Sequence, residues 1–168
     1  MMKRLIFTML AAVCITSAAA QHISFMGIEL GNKVSKFGKE LKSKGFIRSF
    51  SHKIGDVYNN GTFAGYQAEV LLYRLQPTKK VRSAAAKILG DYDVAAAVNI
   101  MGDLQQKIIA KYPGATINDI SNGGVLPHHS ILIHNTYDER INLLIDEEGK
   151  VNVVYVGDLT KRDPQDDL

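Results

Sequence analysis

The sequence predicts an α+β fold in which two helices pack on one face of a mainly antiparallel sheet. Two helical patterns, near residues 32–45 and 93–112, are each followed by a series of short strand-like runs, and turn sequences separate those runs. This order suggests two helix-plus-β-meander repeats, residues 22–88 and 93–157, with a single undivided layer as the alternative. We expect one domain over residues 21–160 and a polar flexible tail over 161–168.

The first helix has a signal at each end. Asn32 is a candidate N-cap, and Gly45 suits the left-handed residue that follows a helix. Val34, Phe37 and Leu41 fall on one face, which we expect to be buried. The lysines of this segment lie mostly elsewhere and predict a solvated surface, with anionic lipid or polymer as an alternative contact.

Strands are predicted over residues 46–88, with a tight turn at Asn60-Gly61. Residues 84–86, three alanines, fit either the last of these strands or an upstream extension of the second helix. That helix has Asp93 as its candidate cap and ends at Pro113-Gly114. Its predicted buried stripe is Val94, Ala97, Met101, Leu104 and Ile108.

The last third contains three strand-like runs, "SILIHN", "RINLLID" and "KVNVVYV". Because side chains alternate between the two faces of a strand, one set should face the helices: Ile131, Ile133, Ile141, Leu143, Ile145, Val151, Val153 and Tyr155. The opposite set is the predicted binding surface: Leu132, His134, Arg140, Asn142, Leu144, Asn152 and Val154. As an alternative, a loop or the chain's own tail covers the apolar residues of this predicted surface.

Residues 1–20 have the layout of a cleavable signal peptide. Lys3 and Arg4 precede the apolar run from Leu5 to Ile15, and Ala18 and Ala20 form an A-x-A cleavage site. The apolar run is shorter than the roughly 20 residues of a spanning helix. We therefore expect export to the periplasm or the extracellular space, with an uncleaved anchor or a lipoprotein beginning at Cys14 as alternatives.

Cleavage after Ala20 would change the composition of the mature chain. The single cysteine leaves with the signal, which excludes disulfides, thiolate nucleophiles and cysteine-ligated zinc. Loss of Lys3 and Arg4 lowers the formal charge from +3 to +1. A nearly neutral protein has no electrostatic case for binding nucleic acid, and no second apolar stretch is long enough to span a membrane.

Three histidines lie within seven positions, at 128, 129 and 134. His128 and His134 share a strand face but are about 20 Å apart at roughly 3.3 Å per residue, so one straight strand cannot close both on a metal ion. We predict no metal and no cofactor. A hydrolase using His129 or His134 with Ser121, Ser130 or Asp119 is an alternative, although no catalytic motif is present.

The segment "HISFMGIELGNKVSKFGKELKSKGF" resembles the opening of small exported bacterial proteins of uncharacterised function. The order of helices and meanders is similar to that of β-lactamase-inhibitor-protein-like and SmpA/OmlA-like envelope domains. That resemblance implies binding of proteins through a sheet surface.

Taken together, these patterns predict an exported, non-catalytic binding module whose open sheet face contacts a protein or cell-envelope partner. Two other functions stay open: a small histidine-dependent hydrolase, and a carrier of a small apolar ligand. The hydrolase needs a pocket in which a histidine meets a hydroxyl and a carboxylate. The carrier needs an apolar cavity between the sheet and the helices.

Overall fold

The computed structural model describes residues 22–113, 117–119, 129–132 and 139–157. Two helices lie in these residues, α1 (Val34–Ser43) and α2 (Val94–Lys111). The strands of the described residues are β1 (Ser24–Phe25), β2 (Ile28–Glu29), β3 (Ile47–His52), β4 (Gly55–Phe63), β5 (Tyr66–Arg74), β6 (Val81–Ile88), β7 (Ile117–Asp119), β8 (His129–Leu132), β9 (Arg140–Ile145) and β10 (Val151–Val156).

Eight of these strands form one antiparallel sheet. Its order is β3-β4-β5-β6-β10-β9-β8-β7, while β1 and β2 pair separately. Helix α1 precedes the meander β3–β6, helix α2 precedes the meander β7–β10, and the two meanders join where β6 pairs with β10. The predicted α+β class is confirmed. The element order is also the one that the two predicted repeats describe.

Both helices pack on the same face of the sheet. A row of buried cross-strand neighbours on this face runs through both meanders: Tyr58, Val70, Ala86, Val153 and Leu143. Phe37 and Leu41 of α1 and Leu104 and Ile108 of α2 belong to the same core cluster. The core is therefore one layer between the helices and one side of the sheet.

Helix α1 begins one residue later than predicted. Its N-cap is Lys33, and Asn32 instead donates to the Glu29 carbonyl at 3.1 Å. The prediction of Asn32 as the cap was wrong. The free Val34 N–H at the start of the helix donates to the Lys79 carbonyl at 3.0 Å, so a residue far along the chain replaces a capping side chain. The other end is confirmed, since Gly45 has a φ of +92°.

The predicted tight turn at Asn60-Gly61 is wrong. Both residues lie inside β4, where the register with β5 shifts between Tyr58 and Gly61, and the actual turn is Ala64-Gly65. Asn60 has a φ of +64°, so its left-handed backbone forms part of a bulge in place of a hairpin turn. A Cβ at Gly61 would collide with the Phe46 ring, and the absence of this atom lets that ring pack on the strand.

Helix α2 follows its sequence signals closely. The Asp93 carboxylate accepts from the Ala96 N–H at 2.8 Å, which confirms the predicted cap. The stripe is buried from Ala97 onward, but Val94 is 60% exposed and was wrongly included. Val94 is the first residue of the helix, and packing against the core begins one turn later. Residues 84–86 lie in β6, so they do not extend this helix.

The predicted alternation in β9 and β10 is confirmed: Ile141, Leu143, Ile145, Val151, Val153 and Tyr155 are buried, and the residues between them are more exposed. In β8, however, the register differs from the prediction. Leu132 lies opposite Ile141 and Ile131 lies opposite Asn142, so the strand is displaced by one residue relative to the expected alignment. The short strand β7, which pairs with β8, was not predicted.

Several sequence predictions lie outside the described residues. These are the signal peptide and its cleavage site, the positions of His128, Ile133 and His134, and the tail. In the described ranges, no helix is both long enough and apolar enough to cross a membrane.

Candidate functional site

The face of the sheet opposite the two helices is the candidate functional surface, which we call the open face. Pairing of the strands places six side chains in one line across it, because directly opposed residues in antiparallel strands share a face. The line is Phe50, Val57, Leu71, Ala85, Val154 and Asn142. Five of these six residues are apolar, so a continuous apolar band crosses the junction between the two meanders.

In the first meander, further exposed apolar side chains lie beside this band. Phe50 is 58% exposed, Ile54 60% and Tyr73 42%, and the three surround a hollow of about 190 Å³. Val57 and Leu71 contribute to its floor. We call this feature the β3–β5 hollow. His52 stacks on Phe50 at its edge, with ring centroids 6.4 Å apart and planes 7° apart.

Five of the seven predicted surface residues, all in β9 and β10, continue the same face. Arg140 is exposed, and Asn142, Leu144, Asn152 and Val154 are half-buried. The register makes Leu144 and Asn152 direct neighbours, as it does Asn142 and Val154. For the remaining two predicted residues, Leu132 is placed opposite Ile141 by the backbone register, and His134 lies outside the described residues.

A charged network borders the open face near the turn between β9 and β10. Asp146 Oδ1 accepts from the Lys150 N–H at 2.8 Å, and Oδ2 accepts from the Asn152 side-chain amide at 2.9 Å and lies 3.5 Å from the Lys87 ammonium. Burial disfavours the Asp146 carboxylate, but these donors and the Lys87 charge outweigh burial and lower its pKa. The hydrogen bond to Glu148, at 3.0 Å, raises the pKa of Lys87. Both groups are therefore ionised at neutral pH.

The sequence analysis missed the β3–β5 hollow. The alternation in the last three strands predicted a binding surface there and gave no indication of the hollow in the first meander. The missing information was the position of β3, which pairs only with β4 and forms an edge of the sheet. All six residues of β3 are exposed, including the apolar Ile47 and Phe50. The apolar Ile47 and Phe50 among the polar residues of a short edge strand are the signal that could have identified this part of the surface.

A second concave feature, the α2 cleft, lies between α2 and the sheet on the helix side. Its volume is about 320 Å³, and its apolar wall includes Met26, Phe63, Leu104 and Ile108. The buried Tyr155 also contacts it, and burial raises the pKa of this phenol. At the rim, Lys107 binds Asp103 at 2.6 Å.

One histidine–carboxylate pair occurs in the described residues. The His22 Nδ1 lies 3.1 Å from Glu139 Oε1, and the buried Glu139 also accepts from the Ile23 N–H at 2.8 Å. The pair ties the start of the described chain to the start of β9. Among the residues the structure covers, no three histidine, cysteine or acidic side chains are grouped as a metal site. The side chains of His128, His129 and His134 lie outside the part of the chain that the structure describes.

Comparison with protein-family models, with curated proteins and with solved structures finds no match to this chain.

Proposed function

We propose that this protein is an exported, non-catalytic binding module that receives a protein partner on its open face. The observation that carries the proposal is the β3–β5 hollow, where three large apolar side chains remain exposed around a concave surface. Export is supported by the signal-peptide pattern of residues 1–20.

The composition of the open face favours a protein partner. An apolar centre with a polar rim is the arrangement found at protein interfaces, where aromatic residues contribute a large share of the binding energy. Phe50 and Tyr73 are the aromatic residues of the hollow, and Arg140 and Asn142 are polar residues of the same face in the second meander. We infer that the partner inserts an apolar side chain into the hollow and makes polar contacts along the second meander.

This proposal is tested with two variants that place the same charge on opposite faces. Tyr73→Asp puts a carboxylate in the β3–β5 hollow, whereas Val98→Asp puts one on the exposed side of α2, where Val98 is 40% exposed. Each mature variant is immobilised and exposed to envelope extract. We expect a protein that binds the wild type and Val98→Asp to be lost from Tyr73→Asp, because the added carboxylate must be desolvated in the interface.

The captured protein is then purified and its affinity for each variant is measured. A decrease of at least about tenfold for Tyr73→Asp, equivalent to about 1.4 kcal/mol, supports the proposal. Equal binding by all three proteins would show that the open face is not the interface. Circular dichroism establishes that both variants are folded.

A second candidate function, carriage of a small apolar ligand, is favoured by one specific observation. The α2 cleft has an apolar wall, and its volume of about 320 Å³ lies at the lower end of the roughly 300–1,000 Å³ typical of ligand pockets. Native mass spectrometry distinguishes the two functions. A carrier would retain an apolar molecule during purification, and an Ile108→Trp variant, whose larger side chain fills the cleft, would lose it.

A further inference from the structure

A cleft on the helix side of the sheet, beside α1, has a different character from the open face. Its volume is about 320 Å³, and we call it the α1 cleft. Lys39 and Lys42 line it from the helix, and Arg48, Asp56, Tyr58 and Arg74 line it from strands β3, β4 and β5. Four cationic side chains thus converge with one carboxylate and one phenol.

The carboxylate and one of the cations are held in place by the protein itself. Asp56, which is buried, accepts from the Ser51 hydroxyl at 2.6 Å and lies 3.9 Å from the Arg74 guanidinium. Arg74 also donates to the backbone carbonyls of His52 and Lys53, at 2.9 Å for the latter. Asp56 therefore offsets the charge of Arg74, and the other three cations of the cleft remain.

The other three cations have no such partner. Lys39, Lys42 and Arg48 are exposed, and none of them makes an ion pair with a carboxylate in the part of the chain that the structure describes. Several cationic side chains around a concave surface concentrate positive electrostatic potential there. The α1 cleft is therefore suited to an anion.

Tyr58 supplies an independent indication of a ligand. Its side chain is only 2% exposed, and its hydroxyl faces Gly38, where a Cβ atom would overlap the phenol oxygen. Within the described ranges this hydroxyl has no hydrogen-bond partner. Burial, followed by the charge of Asp56, raises the pKa of Tyr58, so the phenol keeps its proton at neutral pH. A buried donor without an acceptor is costly unless a ligand supplies one.

We propose that the α1 cleft binds the phosphate group of a small phosphate-bearing ligand. The donors approach from a helix and from separate strands, which suits a tetrahedral group with oxygens in several directions better than a planar carboxylate. Three unpaired cations are enough to neutralise the charge of a phosphate group, which is about −1.5 to −2 at neutral pH, and Arg48 can bind two of its oxygens. The cleft lies on the opposite side of the sheet from the β3–β5 hollow, so this inference is independent of the proposed protein partner.

The test is calorimetric titration of the mature protein with inorganic phosphate and with glycerol 3-phosphate. We expect both to bind the wild type. Arg48→Gln should reduce the affinity at least about tenfold because it removes a charge-assisted pair, and Tyr58→Phe should reduce it by about fivefold because it removes a neutral donor. Lys36→Gln is the matched control, since Lys36 is an exposed lysine of the same helix that does not line the cleft.

The phosphate group could belong to a soluble ester or to a lipid headgroup, and a second measurement separates these sources. Co-sedimentation is measured with vesicles of phosphatidylcholine alone and with vesicles that also contain phosphatidylglycerol. Binding to the mixed vesicles that is lost in Arg48→Gln assigns the headgroup, whereas binding of the free phosphates without co-sedimentation assigns a soluble ester. Either result supports a phosphate site in the α1 cleft.

Two outcomes would overturn the proposal. The first is that neither millimolar phosphate compound nor the mixed vesicles bind the folded wild type. The second is that Lys36→Gln weakens binding as much as Arg48→Gln, which would indicate a general attraction to the basic helix. Tyr73→Asp, the variant designed for the open face, should leave phosphate binding unchanged, so failure of one proposal is distinguishable from failure of the other.

Discussion

Asp146 shows how one side chain organises a turn and the border of the open face. It lies at the end of β9, and its carboxylate accepts from the N–H groups of Glu148 and Lys150 at 3.1 and 2.8 Å. It also binds the Asn152 amide at 2.9 Å, so it connects the turn to β10. Partial burial disfavours the ionised carboxylate, but these hydrogen bonds favour it, and the pKa of Asp146 is lowered.

This lowered pKa predicts a pH-dependent contribution to stability. A carboxyl with a depressed pKa in the folded state stabilises that state above its unfolded pKa of about 3.8, and the contribution disappears as pH falls through the folded pKa. Asp146→Asn, which keeps an acceptor oxygen, should lower the free energy of unfolding by about 1 kcal/mol at pH 7. Urea unfolding at a series of pH values should show this difference shrinking at acidic pH.

Glu147→Gln is the control for that measurement because Glu147 is an exposed carboxylate in the same turn. Its effect on unfolding should be small at every pH. An effect of Asp146→Asn that stays constant down to the acid limit would contradict the assignment, because it would arise from a change in shape and not from a charge.

The two helix caps illustrate what can be predicted for a single residue. Asp93 was predicted correctly because its acceptor and the Ala96 N–H are only three residues apart. Asn32 was predicted wrongly because the Val34 N–H binds the Lys79 carbonyl, which comes from a distant part of the chain. A local sequence pattern can predict the hydrogen bond between Asp93 and Ala96, but it cannot predict the one between Val34 and Lys79.

At the scale of elements, alternation in β9 and β10 separates the core from the open face. Leu143 is fully buried and lies opposite Val153, while its neighbour Leu144 is half-buried on the other face opposite Asn152. The period of two in the sequence was sufficient to predict both assignments. The alternation therefore permits a direct test that changes the same residue type at adjacent positions.

Leu143→Asp and Leu144→Asp should differ strongly in stability. The first places an unpaired carboxylate in the core and leaves a cavity, and it should cost at least about 4 kcal/mol. The second should cost about 1 kcal/mol or less because its carboxylate stays in reach of water. Both are measured by chemical denaturation followed by circular dichroism. An unfolded Leu144→Asp with a stable Leu143→Asp would mean that the two sheet faces are exchanged.

Strands β4 and β8 show where element-level prediction failed. Asn60-Gly61 has the composition of a hairpin turn, but in this fold the same backbone tendency produces a bulge on which Phe46 packs. In β8 the predicted faces depended on an assumed alignment with β9, and the actual register differs by one residue. Local composition indicates that the chain can bend, whereas the partner strand and the packing side chain decide how it bends.

At the scale of the whole molecule, pairing of β6 with β10 makes one sheet from two meanders. Val154 lies opposite Ala85, which lies opposite Leu71, so the open face is continuous across the junction. On the helix side, Val153 lies opposite Ala86 in the buried row. The two halves share a core and a candidate binding surface, although each carries its own helix.

This shared core predicts a single cooperative unfolding transition for the mature protein. Because residues of both meanders are buried in one cluster, loss of either half exposes apolar surface of the other. Urea curves from far-ultraviolet circular dichroism and from tyrosine fluorescence should therefore coincide. Two separated transitions would show instead that the meanders unfold independently.

The sequence alone determined the fold class, both helices, the alternation of the last two strands and the expectation of an open binding face. These features depend on periodicity and on contacts between near neighbours in the chain. Only the tertiary structure decided that β3 is an edge strand, that exposed apolar side chains surround the β3–β5 hollow, and that Arg48 and Tyr58 line one cleft with α1. Those features require strand order and register, which bring together residues that no local pattern relates.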